Sequence, residues 1–336
     1  MIISRTPLRM SFSGGGSDIP DYYKHRHGAV VSTAIDKYIY ITVNQKFDDL
    51  IRVSYSKTEM VKSLEEVEHN IIREALSMVG ITKGIEVVYM GDIPLGSAGI
   101  GLGSSSSLAV GVLNALYAYQ GRHVSADRLA REACEIELNI LKNPIGKQDQ
   151  YIAAYGGFQC IQFNPDESVF VDPVIFPSET KRALNEKLLL FYTGTTRISS
   201  SILKEQGQNT PKNMKYLDDM VDLSRKLLKK LQANDLHGFG EILNEGWILK
   251  KKLATGITNS EIDDHYEKAL KAGAVGGKLL GAGGGGFLLF YCEEPNQDKV
   301  RRALVGLKET PFSFEPQGSK IIYVSDCDNS FGRESR

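Results

Sequence analysis

Residues 85–121 read IEVVYMGDIPLGSAGIGLGSSSSLAVGVLNALYAYQG, and the passage in their middle, GIGLGSSSS at positions 99–107, governs how the rest of the chain is read. IEVVYM is rich in β-branched and aromatic residues and predicts a strand. LAVGVLNALYAYQ predicts a buried helix that Gly121 stops. The connection between them is dense in turn residues. A glycine loop that opens a helix presents unpaired backbone N–H groups and the positive end of the helix dipole to one point, which is the geometry of a phosphate cradle. Gly99, Gly101 and Gly103 let the main chain approach oxygen atoms closely. The hydroxyls of Ser104, Ser105, Ser106 and Ser107 can donate to phosphate or coordinate magnesium. One serine there would be an ordinary helix cap, but four behind three alternating glycines exceed what capping needs.

Two familiar phosphate loops fail the test. The Walker pattern ends in GK[ST], and Ser104 stands where the lysine should be. In the dinucleotide fingerprint GxGxxG, the third glycine would fall at Ser106, and no acidic residue ends a strand about 20 residues later.

Outward from the loop, the N-terminal stretch carries short β segments, clearest at YIYITVN (38–44) and IRVSY (51–55), and residues 65–79 place apolar side chains at helical spacing. Ser125 caps a helix over ADRLAREACEIELNIL, which Pro144 and Gly146 end. FQCIQF (158–163) reads as a strand. Composition shifts near residue 180, so the expected division is residues 1–180 and 181–336, consistent with a chain of 336 residues. The second half offers a strand LLLFYTG, helices near 214–232, 235–253 and 261–272, a strand FLLFYC, a helix near 298–307 and a last strand KIIYVS. The apolar stripe from Leu217 to Leu231, interrupted at Ser224, reads as core, and Trp247 carries no inferred function. Strands separated by helices predict an α+β architecture rather than a parallel barrel.

Composition narrows the classes of function. Forty basic and 41 acidic residues give a net charge of -1, which provides no global attraction to nucleic acid or anionic membrane. Four cysteines without CxxC spacing argue against a zinc site or a disulfide framework and for a reducing cytoplasm. The N-terminus has no basic head followed by a long apolar run, and no segment has the length of a membrane span. Oligomeric state is left open.

Three ordered motifs carry a resemblance: TPLRMSFSGGGSD at 6–18, PLGSAGIGLGSSSS from Pro94, and KLLGAGGGGFLLFY at 278–291. Together they resemble the GHMP small-molecule kinases over nearly the whole chain. That resemblance implies a two-domain GHMP kinase fold, with an N-terminal domain related to ribosomal protein S5 domain 2, a ferredoxin-like C-terminal domain, and an active site between them. It implies ATP and Mg2+ as cofactors and a small sugar or sugar phosphate as partner. GGGSDIPDYY and GKQDQYIAAYGG are most similar to heptose 7-phosphate kinases and the kinase part of fucose kinases.

The resemblance places a catalytic carboxylate at Asp149 and a basic residue near the reacting hydroxyl at Arg9. It also places a sugar-hydroxyl ligand at Asp18 and the metal's hydroxyl ligand at Ser105. For the carboxylate ligand of the metal, helical spacing puts Leu129, Ala133, Ile136 and Ile140 on one buried arc with Glu137 at its margin and Glu135 pointing away, and the resemblance points to Glu137 too. Gly15 and Gly16 replace the Glu-His pair of galactokinases, which opens room or frees backbone amides for a larger or phosphorylated sugar. A phosphate on the acceptor calls for a basic cluster, for which KHRH (24–27) and Arg197 are candidates. Five glycines in positions 281–286, Gly283 and Gly284 among them, suggest a backbone wall against nucleotide or substrate. The leading expectation is an ATP-dependent sugar 1-kinase acting on D-glycero-D-manno-heptose 7-phosphate. A fucose or other hexose 1-kinase and a noncatalytic nucleotide- or sugar-binding protein are the alternatives.

Overall fold

The protein, seen in a computed structural model that describes residues 1–93, 100–195 and 199–325, is built on two sheets. β1 (Ile2–Ser13) and β2 (Gly28–Gln45) pair antiparallel from Ile2 opposite Val43 to Ser13 opposite Val31, with the short α1 (Pro20–Tyr23) in the turn between them. β3 (Ile51–Ser54), β4 (Thr58–Val61), α2 (Asn70–Val79) and β5 (Ile85–Gly91) follow, and β5 joins β2 to a β3 that runs parallel to it. Next come α3 (Ser104–Tyr119), α4 (Ala126–Cys134) with a π-helical turn at Glu135–Ile140, and α5 (Gln148–Tyr155). The outer strands β6 (Phe158–Phe163) and β7 (Val169–Pro173) extend this sheet along the first part of β2. α3 is buried on nearly every face, which is what its unbroken apolar run requires.

α6 (Ser178–Lys187) leads to the second sheet. Its order is β11-β8-β10-β9, formed by β8 (Leu188–Tyr192), β9 (Ala274–Leu279), β10 (Phe287–Cys292) and β11 (Lys308–Glu309). α7 (Ser199–Gln232), α8 (Leu236–Lys250), α9 (Ser260–Lys271) and α10 (Glu294–Ala303) accompany it. Side chains of Asp235 and Asn259 cap α8 and α9 by accepting from Gly238 and Ile262. This is the two-domain α+β fold expected.

Several local expectations give way to longer-range forces. The last strand, β12 (Lys320–Val324), does not complete the second sheet but pairs antiparallel with β1, satisfying the main-chain groups along β1's outer edge. The C-terminal part of the chain therefore returns to the first sheet, past Gly318, where a Cβ would stand 2.0 Å from the Ala154 carbonyl oxygen. α7 continues through Pro211 and begins 15 residues before the expected 214, at Ser199. Ser224, which interrupts its apolar stripe, is buried and donates to the Ala29 carbonyl of the first domain at 3.2 Å. Ile140, expected on a buried arc, is 44% exposed. The π-helical turn, marked by Leu141 N–H donating to the Ile136 carbonyl, turns less per residue than an α-helix, so it rotates Ile140 out and Glu137 fully in.

Candidate active site

α3 starts at Ser104 rather than after the serines, with Gly103 as its N-cap in the left-handed region at φ 75° and no side chain capping the first turn. The amides at its start have no intrahelical partner and face a cavity of about 310 Å³ lined by Gly101, Gly103, Ser104, Ser105 and Ser106. Successive residues of a helix point about 100° apart, so the four serines separate by role. Ser105 Oγ donates to Glu137 Oε1 at 2.6 Å. Ser107, expected at the nucleotide, is buried and donates to the Pro7 carbonyl at 2.9 Å, locking α3 to β1. Gly99 lies outside the described residues.

Glu137 is fully buried and also accepts from Gln150 Nε2 at 2.6 Å. Burial pushes its carboxyl up, and the bonds from Ser105, Ser106 and Gln150 oppose that. Its partners are neutral donors, not a lysine. A carboxylate beside an inward hydroxyl at a phosphate cavity fits a magnesium ion that takes its remaining ligands from phosphate and water. Among the described residues there is no cluster of three or more His, Cys, Asp or Glu suited to an all-protein cage.

Next to this cavity, and sharing Arg9, Asp149, Gly281 and Ala282 with it, is a pocket of about 90 Å³. Asp149 sits in the first turn of α5, and Arg9 of β1 grips it with two parallel bonds, Nε to Oδ1 at 2.7 Å and Nη2 to Oδ2 at 2.6 Å. Arg9 Nη1 reaches the Gly101 carbonyl at 2.5 Å, so one guanidinium joins the acid to the phosphate loop. Asp18, also on the wall, is 3% exposed and accepts from the amides of Gly16 (2.9 Å) and Gln148 (3.3 Å). Burial raises its carboxyl, and neighbouring Asp149 adds to the rise. Gly15 and Gly16 also line this pocket.

Gly283 and Gly284 are not on the wall. Gly284 N–H donates to the Ile257 carbonyl, and a Cβ at Gly283 would lie 2.6 Å from the Ile257 Cα, so both are consumed by packing inside the second domain. Gly281 and Ala282 face the cavities instead. Gly281 meets the phosphate loop: a Cβ on it would stand 2.3 Å from the Gly101 Cα, and one on Gly101 2.4 Å from the Leu280 carbonyl oxygen. These glycines therefore serve a close contact between the two domains.

Two lysines escaped the sequence reading. Lys250 and Lys278 are 7% and 5% exposed and line the 90 Å³ pocket. Lys278 Nζ donates to the Phe12 carbonyl at 3.1 Å, and burial, then Lys250 and Arg9, push its ammonium well below the usual lysine range. Lys250 was hidden in LKKKL (249–253), which reads as solvated charge; Lys278 opens the third glycine motif and was available there.

A third cavity, about 730 Å³, adjoins the small pocket through Ile19, Ile145 and Leu203. Lys24, Arg131, Lys147 and Lys204 stand on its wall. Of the KHRH cluster only Lys24 does so: Arg26 pairs with Asp218 and His27 Nδ1 meets Asn164 Oδ1 at 2.8 Å. Arg197 lies outside the described residues. Among the described residues no helix is long and apolar enough to cross a membrane.

Residues 64–157 match the model of the GHMP kinases N terminal domain, and residues 227–307 that of the GHMP kinases C terminal domain. A D-glycero-alpha-D-manno-heptose 7-phosphate kinase of Campylobacter jejuni is 30% identical, covering 95% of this chain and 98% of its own. The L-fucokinase/L-fucose-1-P guanylyltransferase of Bacteroides fragilis is 27% identical over 90% of this chain, which spans 36% of that larger protein. Among solved structures, a D-glycero-D-manno-heptose 1-phosphate kinase from Bacteroides thetaiotaomicron superimposes with a TM-score of 0.80 at 25% identity, over 97% of this chain and 100% of that one.

Proposed function

The chain belongs to the GHMP kinase family of phosphotransferases with an alcohol acceptor, and on that premise we propose that it transfers the γ-phosphoryl group of ATP to the anomeric hydroxyl of D-glycero-D-manno-heptose 7-phosphate. The product is the 1,7-bisphosphate.

The observation that carries this acceptor is the 730 Å³ cavity beyond the small pocket. A free hexose has no group to fill it, whereas a heptose 7-phosphate extends by one carbon and an anion. Glu167 holds two of the cations on this wall. It adopts φ 69°, uncommon for a side chain of its kind, and its carboxylate gathers the ammonium of Lys147, that of Lys24 at 3.4 Å and the Tyr23 hydroxyl at 2.9 Å. Asp21 and Glu135 stand on the same wall, so a phosphate bound here draws Lys24 and Lys147 from Glu167.

In this reading the amides at the start of α3, with Ser104 and Ser106, bind the nucleotide's phosphates. Ser105 and Glu137 would hold magnesium, which supplies neutralising charge to those phosphates when bound. Asp149 orients the acceptor hydroxyl and takes its proton as the oxygen bonds to the γ-phosphorus and the bond to ADP breaks. Arg9 fixes Asp149 in place, and the bonds from Gly16 and Gln148 hold Asp18 rigid on the acceptor side.

A coupled ADP-release assay across heptose 7-phosphate, fucose, galactose, mevalonate and homoserine tests the proposal. Turnover is expected to be fastest with heptose 7-phosphate. No turnover with it and turnover with a free hexose would assign the acceptor to the second reading, a hexose 1-kinase, which the small volume of the inner pocket favours.

A further inference from the structure

We propose that Lys250 is a catalytic residue of the transfer, its ammonium giving the migrating phosphoryl group a cationic contact from the second domain while Arg9 approaches from the first. Lys250 ends α8 and stands on the acceptor-pocket wall with Arg9, Asp18, Asp149 and Lys278. Its Nζ donates to the carbonyls of Leu279, at 3.2 Å, and Gly281. An ammonium has three donors, so one remains after these two.

No carboxylate of the described residues comes within the 4.0 Å of an ion pair with it. Asp149 is engaged by Arg9, and Asp18 by two backbone amides. Burying a cation without its counter-ion is costly, and an apolar chain of the same length would pack there more cheaply. The missing negative charge is one that a transferring phosphate brings. In agreement, burial first and Arg9 second hold Lys250 down to about 7 against a smaller upward pull from Asp18 and Asp149, and an arriving anion favours the charged form. Lys278 Nζ is instead engaged by the Phe12 carbonyl at 3.1 Å.

The connection between the two cations is continuous. Arg9 bonds the Gly101 carbonyl, Gly101 packs on Gly281, and the Gly281 carbonyl accepts from Lys250. Both charges are thus held at the seam where the two glycine loops touch. In the step itself the acceptor oxygen bonds to the γ-phosphorus, the bond to the ADP oxygen breaks, and the proton passes to Asp149. Lys250 forms no bond and exchanges no proton; it offsets charge on the peripheral phosphoryl oxygens.

The test compares Lys250→Met and Lys250→Ala with the intact protein on whichever sugar of the panel is turned over fastest, so a wrong acceptor assignment leaves it unaffected. Lys250→Met is expected to lower kcat about 10²-fold, with ATP affinity within about threefold and no fall in thermal midpoint. Added ethylammonium is expected to restore Lys250→Ala at least about tenfold by refilling the space with a cation. A Lys250→Met protein that keeps kcat within about threefold overturns the proposal. So does a loss in Lys250→Ala that ethylammonium leaves unchanged, which assigns the side chain to loop support alone.

Discussion

Around Gly101 and the first turn of α3 the proposed donor site is built from main-chain amides and small hydroxyls of one continuous stretch. The acceptor pocket is instead closed by charged side chains brought from β1, the loop after it, α5, α8 and β9. The first design depends on backbone shape, and the second on balanced charge. Each therefore fails in its own way when altered: the donor side through strain, the acceptor side through a lost or unpaired charge.

Asp149→Asn should produce the largest effect. Its volume is kept, but the proton acceptor is removed and the amide accepts only one of the two Arg9 bonds, and proton transfer of this kind contributes about 10²–10⁴ in rate. A fall in kcat near the middle of that range is expected, with ATP affinity, measured by calorimetry, nearly unchanged. A matching loss of ATP affinity would show that the two sides are not separable.

The donor side is probed by Gly101→Ala. Gly101 has φ 85°, and the new Cβ would meet the Leu280 carbonyl oxygen at 2.4 Å, so both backbone and domain contact resist it. A loss of about 2–3 kcal/mol is expected, combining strain with displaced packing, together with roughly tenfold or greater weakening of ATP binding. Gly121→Ala is the control: φ is 72° but nothing lies within 4 Å, so only the backbone cost of about 1 kcal/mol should appear in thermal unfolding.

The same contrast explains what could be read from the sequence. The glycine loop that opens α3 was legible because its pattern is local: alternating glycines, then serines, then a helix. Glu137 was legible because a carboxylate beside an apolar arc implies a buried partner, although the π-helical turn that completes its burial leaves no mark in a periodicity of 3.6. Lys250 was not legible. A lysine in LKKKL becomes a site residue only because α8 ends against the Leu279 and Gly281 carbonyls, 29 and 31 residues further on. Ser107 failed in the opposite direction, since its neighbours suggested phosphate while the helix turned it towards β1. β12 failed because an unfilled strand edge more than 300 residues away is invisible to local pattern.

A smaller effect is expected on the far acceptor side. Lys147 lies on the loop before Asp149, with its amide on the Asp18 carbonyl and its ammonium on Glu167 over the Tyr23 ring. Lys147→Met should raise KM for heptose 7-phosphate about tenfold, the loss of one charge-assisted bond, and leave KM for a free hexose unchanged. Equal changes for both sugars would detach the large cavity from acceptor recognition.

The smallest effect sharpens the comparison within the serine run. Ser107→Ala removes the bond to the Pro7 carbonyl at a fully buried position, so stability should fall by about 1 kcal/mol, seen in urea unfolding, while ATP affinity holds. Ser105→Ala should differ in its effect on the ligand: Glu137 loses a 2.6 Å partner at the phosphate cavity, and magnesium-dependent ATP binding weakens. Two serines only two positions apart then separate into a fold residue and a ligand residue. A drop in ATP affinity for Ser107→Ala as large as that for Ser105→Ala would mean that the first turn of α3 responds as one unit, with its position on β1 setting the cradle as much as its hydroxyls do.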